Sequence, residues 1–358
     1  MKTRRILLLL AAAAALRPSA RACTGITLTA RDGARVVART IEWGGSDLDS
    51  RYVVVPRGHT QHSHTPDGRT GMRFTARYGY VGLSVERPEF VAEGLNEAGL
   101  SAGLFYFPGY GGYAAYDPKE RERSIADLQL VSWILGSCKD TGEVEEAIGG
   151  VRVVGIDPRA STVHWRFADP SGRQLVLEIV GGRPHFYENT LGVLTNSPGF
   201  EWQLTNLNNY VNLYPGPAPD RRLDGQPLAP FGAGSGFLGL PGDVTPPSRF
   251  VRAAFYQASA PQRPTADETV EECFHILNNF DIPIGIEFAE GDAPADIPSA
   301  TQWTAATDLS GRSIYYRTMY DATIRRIDLR AIDFSRIAYR DEPLDRKKRQ
   351  PVVTLEIR

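Results

Sequence analysis

Short strand-like segments, then helices, then strands, helices and strands again: this order constrains the fold of the 358-residue chain more than any other feature. From Cys23 to about Phe107, "TGITLTA", "ARVVART", "SRYVVVP" and "YVGLSVE" alternate or run apolar between Gly, Asp and Pro, as strands do. "EGLNEAGLSAGLFYF" reads as a hairpin turning at Asn96 to Gly99. Ser124, with Asp127 three residues on, is placed to cap a helix through "IADLQLVSWIL". Strands return at "STVHWRFAD" and "RQLVLEIVGG", joined by "PSG". A polar, Pro- and Gly-rich connection covers about 199 to 247, and "SRFVRAAFYQ" and "ADETVEECFHILNNF" follow with helical spacing. "TQWTAATDLSGRSIYYRTM" and "ATIRRIDL" close the chain as a hairpin and a strand. With no repeat or linker, the order predicts an α+β layered sandwich in one domain, 23–358.

The first 22 residues stand apart. "MKTRR" is basic, "ILLLLAAAAAL" (Ile6 to Leu16) is apolar, and "RPSARA" ends small-x-small at Ala20, Arg21 and Ala22. That is the pattern of a secretory signal, 1–22, cut before Cys23. The apolar run is shorter than the roughly 20 residues a span needs, and no other long apolar segment exists, so no membrane span is expected. A lipobox wants Leu where Ala20 stands and a small residue where Arg21 stands. "TRRILLL" leans toward a twin-arginine signal, so the export route stays open. The expected location is periplasmic or extracellular. Of the 40 basic residues, five lie in the leader, which holds no acidic one, leaving 35 basic against 42 acidic residues and a formal charge of −7. An acidic chain lacks the basic footprint of a nucleic-acid binder.

Cutting before Cys23 would give one residue a thiol and a free α-amine. Cys138 and Cys273 are buried thiols or a single bridge, and either leaves Cys23 unpaired in an oxidising compartment. An α-amine titrates near ~8, so it can take the thiol proton and return it to a leaving amine. That supplies the base which none of the six His residues has a sequence neighbour to suggest. In "ARTIEW", Arg39 is a cation able to favour thiolate, and Glu42 a carboxylate able to hold the ammonium. A surface ion pair would explain the same two residues.

Other motifs read as structure. "GSGFLG" (Gly234 to Gly239) has the letters of a dinucleotide loop but neither the strand before it nor the helix after it. "GLSAG" puts Ser101 within a hairpin strand, where a nucleophile elbow requires a strand–turn–helix. "HTQHSH" (His59, His62, His64) reads as an exposed loop, and no metal site is expected.

"CTGI" at a processed start, "ART-x-EW", "GLNEAGL", "LTNSPGFEWQLTNLNNY" and "GLPGDVTPPSRFVRAAF", in that order, resemble the choloylglycine hydrolase family of N-terminal nucleophile hydrolases. Bile salt hydrolases and penicillin V acylases belong to it, and the resemblance runs from Cys23 to about Leu329. It implies a four-layer αββα sandwich and hydrolysis of a small-molecule N-acyl amide through a Cys23 thioester, with no cofactor. It also assigns Arg39 to flank the thiol and Glu42 to contact the amine, where the family commonly has Asp. The Asn196 side chain and the Tyr106 backbone would donate to the oxyanion, and Arg249 would complete the polar cluster. Tyr106 stands where penicillin V acylases often show Tyr, so the resemblance leans toward penicillin V or N-acyl homoserine lactones over conjugated bile salts. Trp43, Phe105, Phe107 and Trp202 are the apolar candidates for an acyl pocket. The 199–247 connection sits where some members build subunit contacts, which suggests a homotetramer. The rival readings are an inactive exported binding protein on the same scaffold and a serine hydrolase using Ser101.

Overall fold

The structure, a computed structural model, describes residues 21–357. The leader read from the sequence therefore lies outside the described residues, apart from Arg21 and Ala22.

The first strands are β1 (Arg21–Thr29), β2 (Arg35–Trp43), β3 (Arg51–Val55), β4 (Thr60–His64), β5 (Thr70–Thr75), β6 (Tyr80–Ser84), β7 (Val91–Asn96) and β8 (Ser101–Tyr106). Next come β9 (Ser124–Ala126), α1 (Leu130–Ser137), α2 (Thr141–Ile148) and β10 (Arg152–Val154). β11 (Val163–Ala168), β12 (Gln174–Val180) and β13 (Arg183–Glu188) follow, then α3 (Phe200–Asn206) and a small hairpin of β14 (Arg221–Leu223) and β15 (Gln226–Leu228). The chain ends with α4 (Pro246–Ser259), α5 (Ala266–Leu277), β16 (Thr301–Asp308), β17 (Ser313–Thr318), β18 (Arg325–Asp328) and β19 (Arg340–Pro343).

Two antiparallel sheets form the centre. One is five-stranded, β1-β2-β16-β17-β18; the other is eight-stranded, β13-β12-β11-β8-β7-β6-β3-β19. α4 and α5 pack on β1, β2 and β16, and α1 packs on β7 and β8, which makes the αββα layering that the family resemblance implies. Fully buried Trp165, Trp303, Phe105, Phe167 and Phe250 are among the largest side chains of the core. Burial on both faces explains why the central strands read as apolar runs rather than as strict alternation.

The β7–β8 hairpin turns where its sequence predicts. Asn96 Oδ1 accepts from the backbone N–H of Ala98, Gly99 and Leu100, and Gly99 sits at φ +101°, a conformation glycine adopts without strain. Three local expectations are corrected. Ser124 caps no α-helix: it pairs with Arg152 in the parallel β9–β10 contact, so the backbone stays extended and α1 begins only at Leu130. "TQHSH" is strand β4, paired with β5, rather than a loop. The polar connection contains helix α3, which buries Phe200 and Gln203.

Candidate active site

The site grows from the register of the first two strands. Cys23 pairs with Ile41 and Gly25 with Arg39, so these four residues share one face of the sheet. Ala22, Thr24, Thr40 and Glu42 point to the other face, toward α4 and α5. Arg21 and Ala22 remain joined to Cys23 here, so the Cys23 nitrogen is a peptide N–H that stands in for the α-amine of a chain beginning at Cys23.

That N–H donates to Asn196 Oδ1 at 2.9 Å. Asn196 is carried by a segment bridged to β1, where Gly25 and Leu194 exchange backbone hydrogen bonds of 2.7 and 3.1 Å. Arg249, on the first turn of α4, donates Nη2 to Asn196 Oδ1 at 2.7 Å, and Nη1 to Thr24 Oγ1 at 2.9 Å and to the Cys23 carbonyl. Two donors on one atom establish that atom as the amide oxygen. The amide nitrogen therefore faces the other way and donates to the Tyr106 carbonyl at 2.7 Å, and its second N–H meets no acceptor among the described residues. The Tyr106 backbone N–H faces the Cys23 sulfur and favours its ionised form.

Arg39 is fully buried. Its guanidinium lies over the Phe105 ring at 4.1 Å, its Nη1 donates to the carbonyls of Ala92 and Leu104, and Glu93 lies 3.7 Å away. Its Nη2 has no hydrogen-bond partner among the described residues. Burial pushes the Cys23 thiol up; Arg39 opposes this most strongly, Glu42 adds to it, and the Tyr106 N–H and Arg249 oppose it in turn. Burial also raises the Glu42 carboxyl to about 8, against the pull of Arg249, Thr40 and Arg39. Glu42 Oε1 accepts from Thr301 Oγ1 at 3.3 Å, while Oε2 is buried with no hydrogen-bond partner among the described residues. Glu287, which the sequence did not point to, presents a second buried carboxylate oxygen with no hydrogen-bond partner among the described residues; its charge pushes the Glu42 carboxyl up, and Arg249 draws its own down.

A cleft opens over Cys23, with about 660 Å³ of atom-free space including its mouth. Trp43 and Tyr106 line it together with Ile41, Leu48, Phe90 and Val163, and Arg159 pairs with Glu86 at 3.0 Å on the rim. The other apolar candidates lie elsewhere. Alternation along β8 turns Phe105 onto Gly25 and Arg39, leaving Leu104 and Tyr106 on the cleft side. Phe107 is fully buried, stacked on His164 with centroids 4.4 Å apart. Trp202 is 49% exposed on α3, outside the cleft lining. The signal for Ile41 was available, since period-two alternation from Arg39 places Ile41 and Trp43 on the face of Cys23.

Ser101 is buried in β8 and donates to Glu93, with no histidine bound to it, and "GSGFLG" holds only a single helical turn at Ser235–Phe237. All three cysteines are free and buried. Among the described residues, no group of three or more His, Cys, Asp or Glu is placed to hold a metal, and no helix is long and apolar enough to cross a membrane.

Two antiparallel sheets between helical layers, with a buried cysteine near the start of the first strand, define the sandwich of the N-terminal nucleophile hydrolases. The fold is shared with a solved variant of conjugated bile acid hydrolase from Clostridium perfringens, at TM-score 0.80 and 27% identity over 93% of this chain and all of that one. It is also shared with penicillin V acylase from Agrobacterium tumefaciens, at TM-score 0.72 and 22% identity over 90% of this chain and 92% of that one. In sequence, the chain is 31% identical to a bile salt hydrolase/transferase of Clostridium perfringens over 86% of its own length and 92% of the relative's. A bile salt hydrolase/transferase of Bifidobacterium longum is 30% identical, over 85% and 94%. The family model for linear amide C-N hydrolases, choloylglycine hydrolase family, matches residues 23–342. The chain belongs to that family and is a hydrolase of linear amide carbon–nitrogen bonds.

Proposed function

We propose that the mature protein is an exported cysteine hydrolase beginning at Cys23, which cleaves N-acyl amides of the penicillin V or acyl homoserine lactone type. The observation that carries the reading is the convergence on Cys23 of a nitrogen held by Asn196, a sulfur facing the Tyr106 N–H, and the cation of Arg39. In a chain starting at Cys23, the amine takes the thiol proton and Arg39 favours the thiolate that results. Sulfur attacks the acyl carbonyl, and the oxyanion is held by the Tyr106 N–H and the second N–H of Asn196. The ammonium returns its proton to the leaving nitrogen, the C–N bond breaks, and an acyl thioester with Cys23 remains. Water then adds to the thioester and releases the acid, leaving the thiol as it began. Glu42 stands across from the former Ala22 position and holds the ammonium.

The apolar lining favours a hydrocarbon or aryl acyl group, because the hydroxyls of a bile acid would lose their water partners there. Bile salt hydrolysis is the second reading, favoured by the names of relatives near 30% identity. The kcat/KM for penicillin V against that for glycocholate decides between them. A larger value for glycocholate refutes the first.

The basic, apolar and small-residue segments of 1–22 support export through a cleaved signal. Exposed Leu223, Phe231 and Leu238 in the 199–247 connection support subunit contacts there, and sedimentation should give four chains.

A further inference from the structure

His164 is fully buried on β11, and the chemistry above does not use it. Its Nε2 lies 3.1 Å from the carbonyl of Thr195, the residue before Asn196. A carbonyl only accepts, so Nε2 carries a hydrogen and donates. Nδ1 lies 3.2 Å from Glu178 Oε1, so the two hold one proton between them. The same Oε1 accepts the backbone N–H of Phe200 at 2.8 Å, at the start of α3. The segment 196–199 is thus gripped at both ends by one buried pair. The imidazole also stacks flat on Phe107, 6° from parallel, and Phe107 follows Tyr106 in the chain. His164 therefore touches the immediate neighbours of both groups that face the oxyanion.

We infer that His164, held by Glu178, is a positioning residue that sets the spacing between the Asn196 amide and the Tyr106 N–H. The inference rests on the proposed Cys23 mechanism. Its action is geometric: a shift of about 1 Å in one donor costs on the order of 10²-fold in rate. Since His164 meets no substrate, its loss lowers kcat and leaves KM nearly unchanged.

The test uses the processed enzyme with penicillin V, or with glycocholate if that is the substrate turned over. His164→Phe keeps the ring and its stacking but loses both hydrogen bonds, whereas His164→Gln restores a donor near the Nε2 position. His164→Phe should lower kcat by about 10- to 100-fold with KM within about twofold, and His164→Gln should recover most of the loss. Each change is repeated on Asn196→Ala. If His164 acts through Asn196, His164→Phe costs less than about twofold more in that background. A folded His164→Phe enzyme with wild-type kcat overturns the inference, and so does an equal loss in both backgrounds. If His164→Phe does not fold, Glu178→Gln, which keeps an acceptor for Phe200, is read by the same two criteria. Activity that survives Cys23→Ala would instead refute the mechanism beneath the inference.

Discussion

Asn196 holds the backbone nitrogen of Cys23 with its amide oxygen, at 2.9 Å, and directs its amide nitrogen to the opposite side, toward Tyr106. One side chain thus touches both the base and the oxyanion site of the proposed reaction. Arg249 keeps it from flipping, because a flipped amide would put NH2 against a guanidinium.

The two ends of that amide can be separated. Asn196→Asp keeps an acceptor for the Cys23 nitrogen and loses the oxyanion donor; Asn196→Ala loses both. Asn196→Asp should fold and lower kcat by about 10²- to 10³-fold, the usual cost of one oxyanion donor, and Asn196→Ala should lower it by at least as much. Steady-state kinetics near wild type for either variant contradicts the donor role.

Stability should depend on pH in a direction set by Glu42. With Arg21 and Ala22 retained, burial keeps this carboxyl at about 8, while in an unfolded chain it sits near ~4.3. The folded state therefore binds a proton that the unfolded state has released. Stability falls as pH rises from about 4.5 to about 8, by at most about 1.4 kcal/mol per pH unit from this group. Asp127, raised to about 7 by burial, adds in the same direction over the lower part of the range. Urea midpoints of the uncut chain and its Glu42→Gln variant should diverge across this window. Parallel curves would show that Glu42 is ionised in the folded chain.

Gly25 lies where β1 meets the buried charges. A Cβ there would come within 2.9 Å of Arg166 Nη1 and 3.0 Å of the Phe105 ring, both fully buried. Gly25→Ala should cost about 1–3 kcal/mol of stability, as overpacked cores do. An unchanged urea midpoint would mean that this contact relaxes freely.

The two tryptophans should separate kinetically. Trp43 lines the cleft with its indole N–H on Ser46 Oγ at 3.0 Å, whereas Trp202 stands half exposed on α3. Trp43→Ala should reduce kcat/KM by about 5- to 30-fold, the equivalent of ~1–2 kcal/mol of lost apolar contact. Trp202→Ala should leave it within about twofold. The opposite pattern would place the acyl group against α3 instead of in the cleft.

The sequence made the layers legible because each central strand is a short apolar run closed by turn residues, and α4 and α5 carry helical spacing. Cys23, Arg39 and Glu42 were legible from chemistry, since a leader ending before a cysteine raises the question of its base. Tyr106, Asn196 and Arg249 lie far off in sequence, and only a family resemblance could bring them there. The cleft wall was not legible. Aromatic character pointed to Phe105, but β8 presents Leu104 and Tyr106, and the face taken depends on which side of the strand meets the other sheet. α3 was hidden because it buries only Phe200 and Gln203 in a polar sequence. The His164–Glu178 pair was hidden for the opposite reason: on apolar strands both residues read as isolated polar interruptions.

Everything proposed for the chemistry depends on a free amine at Cys23. The measurement that tests this most directly is the intact mass of the active, secreted enzyme, with fragmentation of its N-terminus. The expected result is a chain that begins at an unmodified Cys23. An active chain that begins at another residue, or one with a blocked amine on Cys23, would contradict it.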